Sequence, residues 1–225
     1  MQMPQKGRGW DEVRAEMAAR GGGDVDWRGG RTAVYVFNAG EDVHHIQHEA
    51  YGLHMSENGL GPLAFPSLAQ MGKEVIAMAL GLLHGPAGAT GAMTSGGTDS
   101  ITMAMKTARD FARAKGKTGP FNIVLPRSAH LAFDKAAHLM DIQLRRTPLK
   151  TDGSYEADPA AMAAAVDEGT IMMVASAPNF PHGIIDPVAA IGEVAAAKGV
   201  WLHVDACVGG YFAPFARMNG VPVPA

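Results

Sequence analysis

With 225 residues, 47% of them hydrophobic and 18% charged, the chain has enough apolar material for a substantial core and is not a disordered segment. A net charge of −3, with basic residues scattered along the sequence, argues against a nucleic-acid or anionic-membrane surface and favours a small-molecule partner. The single cysteine, Cys207, excludes an internal disulfide, and the lack of an apolar run behind Lys6 and Arg8 or of any span long enough for a bilayer predicts a cytoplasmic protein with no membrane span.

In chain order, Trp10 to Arg20 reads as a short amphipathic helix bordered by Gly21, Gly22 and Gly23 and then by Gly29 and Gly30, an arm rather than a core element. Asp42 to Glu57 and Ser67 to Leu83 carry apolar residues at helical spacing, the second through Leu68, Met71, Val75, Met78 and Leu82, and Asn58 to Pro66 between them is an extended Gly/Pro segment. From Gly91 onward short strands and helices alternate. Thr98 to Lys115 is helical, Phe121 to Leu125 a strand, Leu131 to Met140 helical and Gln143 to Thr147 a strand. Pro159 to Glu168 is helical, Ile171 to Ala175 a strand, Pro187 to Lys198 helical and Val200 to Val204 a strand. The pattern divides the chain into an N-terminal arm and helical segment, 1–90, and an α/β domain, 91–225, with a mostly parallel sheet and flanking helices. Ligands of such sheets sit beyond the carboxyl ends of the strands, which predicts a common rim for Ser176, Asp205 and the loop around His130. The last residues, 220–225, have loop composition, and the expectation is an N-terminal piece of a longer protein.

Three segments carry chemistry. Gly96-Gly97-Thr98 opens a helix, where backbone N–H groups and the macrodipole can hold a phosphate; the same residues also suit an ordinary helix cap. His130 falls between a strand and a helix, where a flat imidazole can stack on an aromatic ring, or can simply start the helix. Asp205 ends a buried strand, where a carboxylate is costly without a partner: a protonated pyridine nitrogen, or else an arginine, a backbone amide or a metal. Cys207, two residues on, points to the same face and either packs under such a ring or is a buried inert thiol. A phosphate cradle, a stacking imidazole and a carboxylate for a pyridinium are the parts of a pyridoxal phosphate site. His44, His45, His48 and His54 invite a metal reading, but no His-Glu-x-x-His arrangement accompanies them, and the reading is structural or surface histidines with no metal.

Together these segments resemble the group II pyridoxal-phosphate-dependent decarboxylases, most closely their sphingosine phosphate lyase branch, from about Trp27 to the end. The carriers are Gly91 to Ser100, Ala129 to His138, Ser176 to Gly183 and His203 to Gly210. The resemblance implies a type I, aspartate-aminotransferase-like large domain and a homodimer. It implies cofactor contacts from Gly97, Thr98, His130, Ser176, Asp205 and Cys207, with His130 and Asp205 in catalytic roles. Tyr51 and Asn58 fall where the family approaches its small-molecule amine or amino acid substrate. The implied activity is that of a carboxy-lyase or aldehyde-lyase on an amino acid or phosphorylated amino alcohol; the alternative is a non-catalytic, small-molecule-binding domain of the same fold. Two departures stand out. Gly61 occupies a position where the lyase motif has histidine, and the cofactor-binding lysine of the family falls beyond Ala225, so the 225 residues alone are expected not to turn over.

Overall fold

The structure, a computed structural model, describes residues 3–32 and 36–224. It divides into two compact units, Met1–Asn58 and Gly59–Ala225. The first holds α1 (Trp10–Gly21) and α2 (Glu41–His54), both without buried residues. On α2, His45 pairs with Glu49 and His54 Nδ1 lies 2.9 Å from Glu57, while His44 packs beside Trp27. Among the described residues, no group of three or more His, Cys, Asp or Glu side chains is arranged to hold a metal ion.

The second unit begins with α3 (Pro66–Leu82) and α4 (Gly97–Ala114) and continues as β1 (Asn122–Pro126), α5 (Ala132–Met140), β2 (Gln143–Thr147) and α6 (Pro159–Ala165). It closes with β3 (Thr170–Ser176), α7 (Val188–Lys198), β4 (Trp201–Asp205) and α8 (Gly209–Met218). The four strands form one parallel sheet in the order β2-β1-β3-β4. The chain moves outward from β1 to β2, then returns past β1 to β3 and on to β4. That reversal opens a crevice at the carboxyl ends of β1 and β3.

Side-chain alternation along the central strands explains the two layers. Ile123 and Leu125 of β1 and Met172 and Val174 of β3 pack with Ile101, Met105 and Ala108 of α4 and Phe133 and Ala136 of α5. Val124, Met173 and Ala175 face the other way onto Met162 of α6 and Ile191 and Ala195 of α7. β1 and β3 are buried along their whole length, as strands covered on both faces must be. In α4, Ile101, Met105, Ala108 and Ala112 fall on one stripe and are its buried residues.

Two elements differ from the sequence pattern. α6 stops at Ala165 although its alanines favour continuation, because the next residues serve another purpose: Asp167 accepts from Asn122 Nδ2 at 2.7 Å and from Gly169 N–H at 3.0 Å and pairs with Arg145. α8 lies in a stretch the sequence pattern leaves unassigned, since its Gly-Gly start and internal Pro214 both argue against helix. No helix of the described residues is long and apolar enough to cross a membrane.

Candidate functional site

Asp205 and Ser176 are register partners at the carboxyl ends of β4 and β3. The loops that follow are tied together at once: Ala177 N–H donates to the Asp205 carbonyl at 2.8 Å, and Gly209 N–H donates to the Ala177 carbonyl at 3.1 Å. Gly209 is buried against this loop, and a Cβ there would lie 2.9 Å from the Ala177 carbonyl carbon, so only glycine permits the approach. The Asp205 carboxylate is half-buried, and Oδ1 accepts from Cys207 N–H at 3.3 Å. It lines a cleft of about 440 Å³ together with Thr94, Gly96, Gly97, Ser100, His203 and Cys207, while Val75 of α3 and Tyr211 of α8 supply apolar walls.

The other polar wall is the start of α4. Gly96 takes φ +150°, outside the range of L side chains, and offers no side-chain cap, so the first N–H groups of the helix have no partner within the helix or from its cap. Asp99 does not quench them, because its Oδ2 turns back to accept from Ser95 N–H at 3.0 Å and Ser95 Oγ at 3.1 Å. The approach is braced by Thr94 Oγ1 and Ser100 Oγ, 2.6 Å apart. Thr98 follows on the exposed first turn. A Cβ on Gly97 would sit 3.3 Å from Cys207 Sγ, so the helix start and the loop after β4 are in contact. Cys207 is exposed, which overturns the buried-thiol alternative.

Buried polar atoms without partners concentrate at this rim. Among the described residues of the sheet-bearing unit they include Ser128 Oγ after β1, Ser176 Oγ at the end of β3 and His203 Nε2 within β4. Leaving such a group unsatisfied costs about 1–3 kcal/mol, so Ser128 and Ser176, at the carboxyl ends of neighbouring strands, are suited to receive polar partners. His203 sits edge-on to Phe133 with ring centroids 5.9 Å apart. Burial pushes its imidazole below the ordinary value, favouring the neutral ring, with the Asp205 charge pulling the other way. Beneath the rim, Asp186 accepts from Ser176 N–H at 2.8 Å and Ala157 N–H at 3.0 Å; burial raises its carboxyl above the usual range despite those bonds.

His130 stands on the far side of the crevice, exposed, in the loop after β1. Its Nδ1 accepts from Ala132 N–H at 3.1 Å, and its ring meets Phe180 edge-to-face at 5.9 Å. β3 lies between β1 and β4, so the strand ends leading to His130 and Asp205 are two strand spacings, roughly 10 Å, apart. The fold thus brings Gly97, Asp205 and Cys207 into one cleft, sets Ser176 beside it and faces His130 across from it. Tyr51, exposed on α2, and Asn58 belong to the other compact unit. Among the described residues no lysine lines the cleft; Lys198 ends α7 at the amino end of β4, away from the rim. Of the residues that sequence reasoning passed over, His203 was signalled by sharing a strand face with Asp205, whereas Phe180 and Asp186 carried no local signal.

A parallel α/β sheet with an uncapped helix start and a strand-end carboxylate on one cleft suits a phosphorylated aromatic ring, and the glycine-lined start of α4 fits a phosphate. The chain belongs to the pyridoxal-dependent decarboxylase family: the profile described as "Pyridoxal-dependent decarboxylase conserved domain" matches residues 26–224. Similar proteins include sphingosine-1-phosphate lyase 1 of Mus musculus, 38% identical over 221 residues, covering 98% of this chain and 38% of that one. A probable L-tyrosine/L-aspartate decarboxylase of Methanocella arvoryzae is 37% identical over 213 residues, covering 95% of this chain and 54% of its own. Among solved structures, a sphingosine-1-phosphate lyase of Burkholderia pseudomallei superposes with TM-score 0.92 at 36% identity, covering 100% of this chain and 53% of that one. Glutamate decarboxylase of Lactobacillus brevis, at TM-score 0.79 and 18% identity, covering 98% of this chain and 52% of its own, shares the fold. The chain therefore spans about two fifths to one half of the length of these relatives. The fold is the type I, aspartate-aminotransferase-like large domain expected from the sequence, and the family's cofactor is pyridoxal phosphate.

Proposed function

We propose that this chain forms the phosphate and ring-nitrogen side of the active site of a pyridoxal-phosphate-dependent carbon–carbon lyase, a carboxy-lyase or aldehyde-lyase acting on an amino acid or a phosphorylated amino alcohol. The observation that carries the reading is the shared cleft of the α4 N-terminus and Asp205. Gly97 and Thr98 N–H groups hold the phosphate, where the helix dipole adds to their attraction. Asp205 would accept the ring N–H of the bound cofactor and favour the proton there, because a half-buried carboxylate is stabilised by a cation opposite it. With the cofactor bound, Ser176, Cys207 and His130 would be the further residues that hold its ring. Bound there, the cofactor supplies an electron sink for the charge left on the substrate carbon when the bond breaks. His130 is the residue placed to hold or pass a proton on the substrate side, and Tyr51 and Asn58 are proposed substrate contacts.

Lyases acting on a phosphorylated base and decarboxylases acting on amino acids both stand among the relatives, by name, and Gly61 lacks the imidazole that would contact an anion. A modest preference, at most, for a phosphorylated long-chain base over simple amino acids follows. The lysine-free cleft supports a further part of the proposal, that the 225 residues alone do not turn over. Exposed Tyr211, Phe212 and Phe215 on α8 support a homodimer, and the free Cys207 thiol suits a cytoplasmic setting. The test is a competition assay on the full-length protein with an amino acid and a phosphorylated base, scoring released carbon dioxide and aldehyde. One product from the parent, formed about 10²-fold more slowly or worse by Asp205→Asn, supports the reading. Pyridoxal phosphate that fails to bind, or binds without any bond cleavage, favours the non-catalytic binding domain instead.

A further inference from the structure

We propose that Arg146 and Phe180 are positioning residues that act through His130, fixing its ring plane and presenting Nε2 as the proton-bearing nitrogen to a ligand on the rim. The inference deepens the reading of His130 as the residue over the cofactor ring and rests on it. His130 belongs to the connection 127–131 between β1 and α5, a stretch with no regular structure to hold it. Arg146 of β2 reaches under that connection. Its Nη1 donates to the carbonyls of Pro126, Arg127 and Ala129 at 3.4, 3.3 and 3.3 Å, and its Nη2 donates to Asp134 Oδ2 at 2.6 Å. One planar guanidinium therefore gathers three carbonyls of the loop and pins them to the first turn of α5. A lysine, a compact point charge on a flexible stem, does not reproduce that fork.

From above, Ala132 N–H donates to His130 Nδ1 at 3.1 Å, which makes Nδ1 the acceptor and leaves the proton of the neutral ring on Nε2. Phe180 then sets the ring plane, its own ring standing at 81° to the imidazole with centroids 5.9 Å apart. Phe180 is 58% exposed, so core packing does not explain its place. Its loop is tied down on both sides: Asn179 N–H donates to the Ile184 carbonyl at 2.8 Å, Gly183 N–H to the Asn179 carbonyl at 3.0 Å, and His182 N–H to Asn179 Oδ1 at 3.0 Å. A ring held from below through its loop, at one nitrogen by an amide and at one edge by an aromatic has a single orientation available. An aromatic pair of this kind is worth a factor of about 2 to 12 in an equilibrium.

The experiment compares the 225-residue chain with Phe180→Leu, Phe180→Tyr and Arg146→Lys. It reads the His130 imidazole resonances by nitrogen–proton correlation, the affinity for pyridoxal phosphate and the melting temperature. The parent is expected to show one His130 species with Nδ1 unprotonated and Nε2 protonated. Phe180→Leu and Arg146→Lys are expected to shift those resonances toward a conformationally averaged ring and to weaken pyridoxal phosphate binding about 2- to 12-fold, with Phe180→Tyr restoring both. Should Arg146→Lys fail to fold, the exposed Phe180 variants decide. Unmoved His130 resonances in Phe180→Leu overturn the proposal whatever happens to affinity. A parent that binds no pyridoxal phosphate refutes the functional reading alone, because the resonance comparison still tests whether Phe180 and Arg146 hold His130.

Discussion

Gly209→Ala probes the join between the loops after β3 and β4, on which the placing of Asp205 depends. The new Cβ would fall 2.9 Å from the Ala177 carbonyl carbon, nearer still to its oxygen, and 3.2 Å from Pro178 Cδ, all parts of backbone or a proline ring that have no rotamer in which to retreat. To reach ordinary contact the loops must part by roughly 1 Å, an overpacking that costs about 1–3 kcal/mol. The bond from Gly209 N–H to the Ala177 carbonyl, 3.1 Å long, is strained at the same time, for roughly another 1 kcal/mol. Alanine is the better helix former at the start of α8, which returns at most about 1 kcal/mol, so the clash wins. At about 2–4 °C per kcal/mol for a chain of this size, the melting temperature should fall by about 3–10 °C. Affinity for pyridoxal phosphate should fall with it, since Asp205 and Cys207 move with the loop. Calorimetry and a cofactor titration measure both. A variant melting within about 1 °C of the parent, with unchanged affinity, refutes the argument that this contact is tight and holds the site.

Gly97→Val sets a branched side chain against Cys207 Sγ, 3.3 Å from the Cβ position, and should weaken pyridoxal phosphate binding by about tenfold or more with little change in melting temperature; equal loss of both would assign Gly97 to stability alone. Asp205→Asn in the full-length protein should lower turnover by about 10²-fold or more while the fold persists, and comparable turnover would remove the carboxylate from the mechanism. His203 supplies a pH prediction. Because burial favours its neutral form in the folded chain, with Asp205 only partly opposing, its stabilising contribution is complete above about pH 6.5 and is lost as pH falls through the lower folded value. His203→Gln should therefore flatten the acid-side loss in denaturant midpoints measured between about pH 8 and pH 5, whereas parallel parent and variant curves would contradict it.

The alternation from β1 to β4 was legible because each central strand is a short apolar run closed by turn residues, and the rim followed from the parallel order alone. Asp205 and Ser176 could be set on a common rim from the sequence for that reason; that they are register partners on adjacent strands is seen only in the structure. The exposure of Cys207 was not legible, since it depends on a loop bending toward Gly97, a contact spanning 110 residues of chain. α8 was hidden by residues that disfavour helix locally, and the end of α6 by a demand on Asp167 from Asn122 and Arg145, far away in sequence. Arg146 carries no local signal in the sequence, where it is one of two adjacent arginines in β2. Only the fold shows that one fork of donors meets three carbonyls of the loop that carries His130.

Amide chemical-shift mapping of pyridoxal phosphate onto the 225-residue chain, with inorganic phosphate as competitor, tests the shared cleft most directly. The prediction is that the largest changes fall on Gly97, Thr98 and Asp99, with a second set at Asp205 to Cys207, and that phosphate reproduces and competes with the first set only. Changes confined to other surfaces, or a first set without the second, would contradict a site in which the α4 N-terminus and Asp205 hold opposite ends of one ligand.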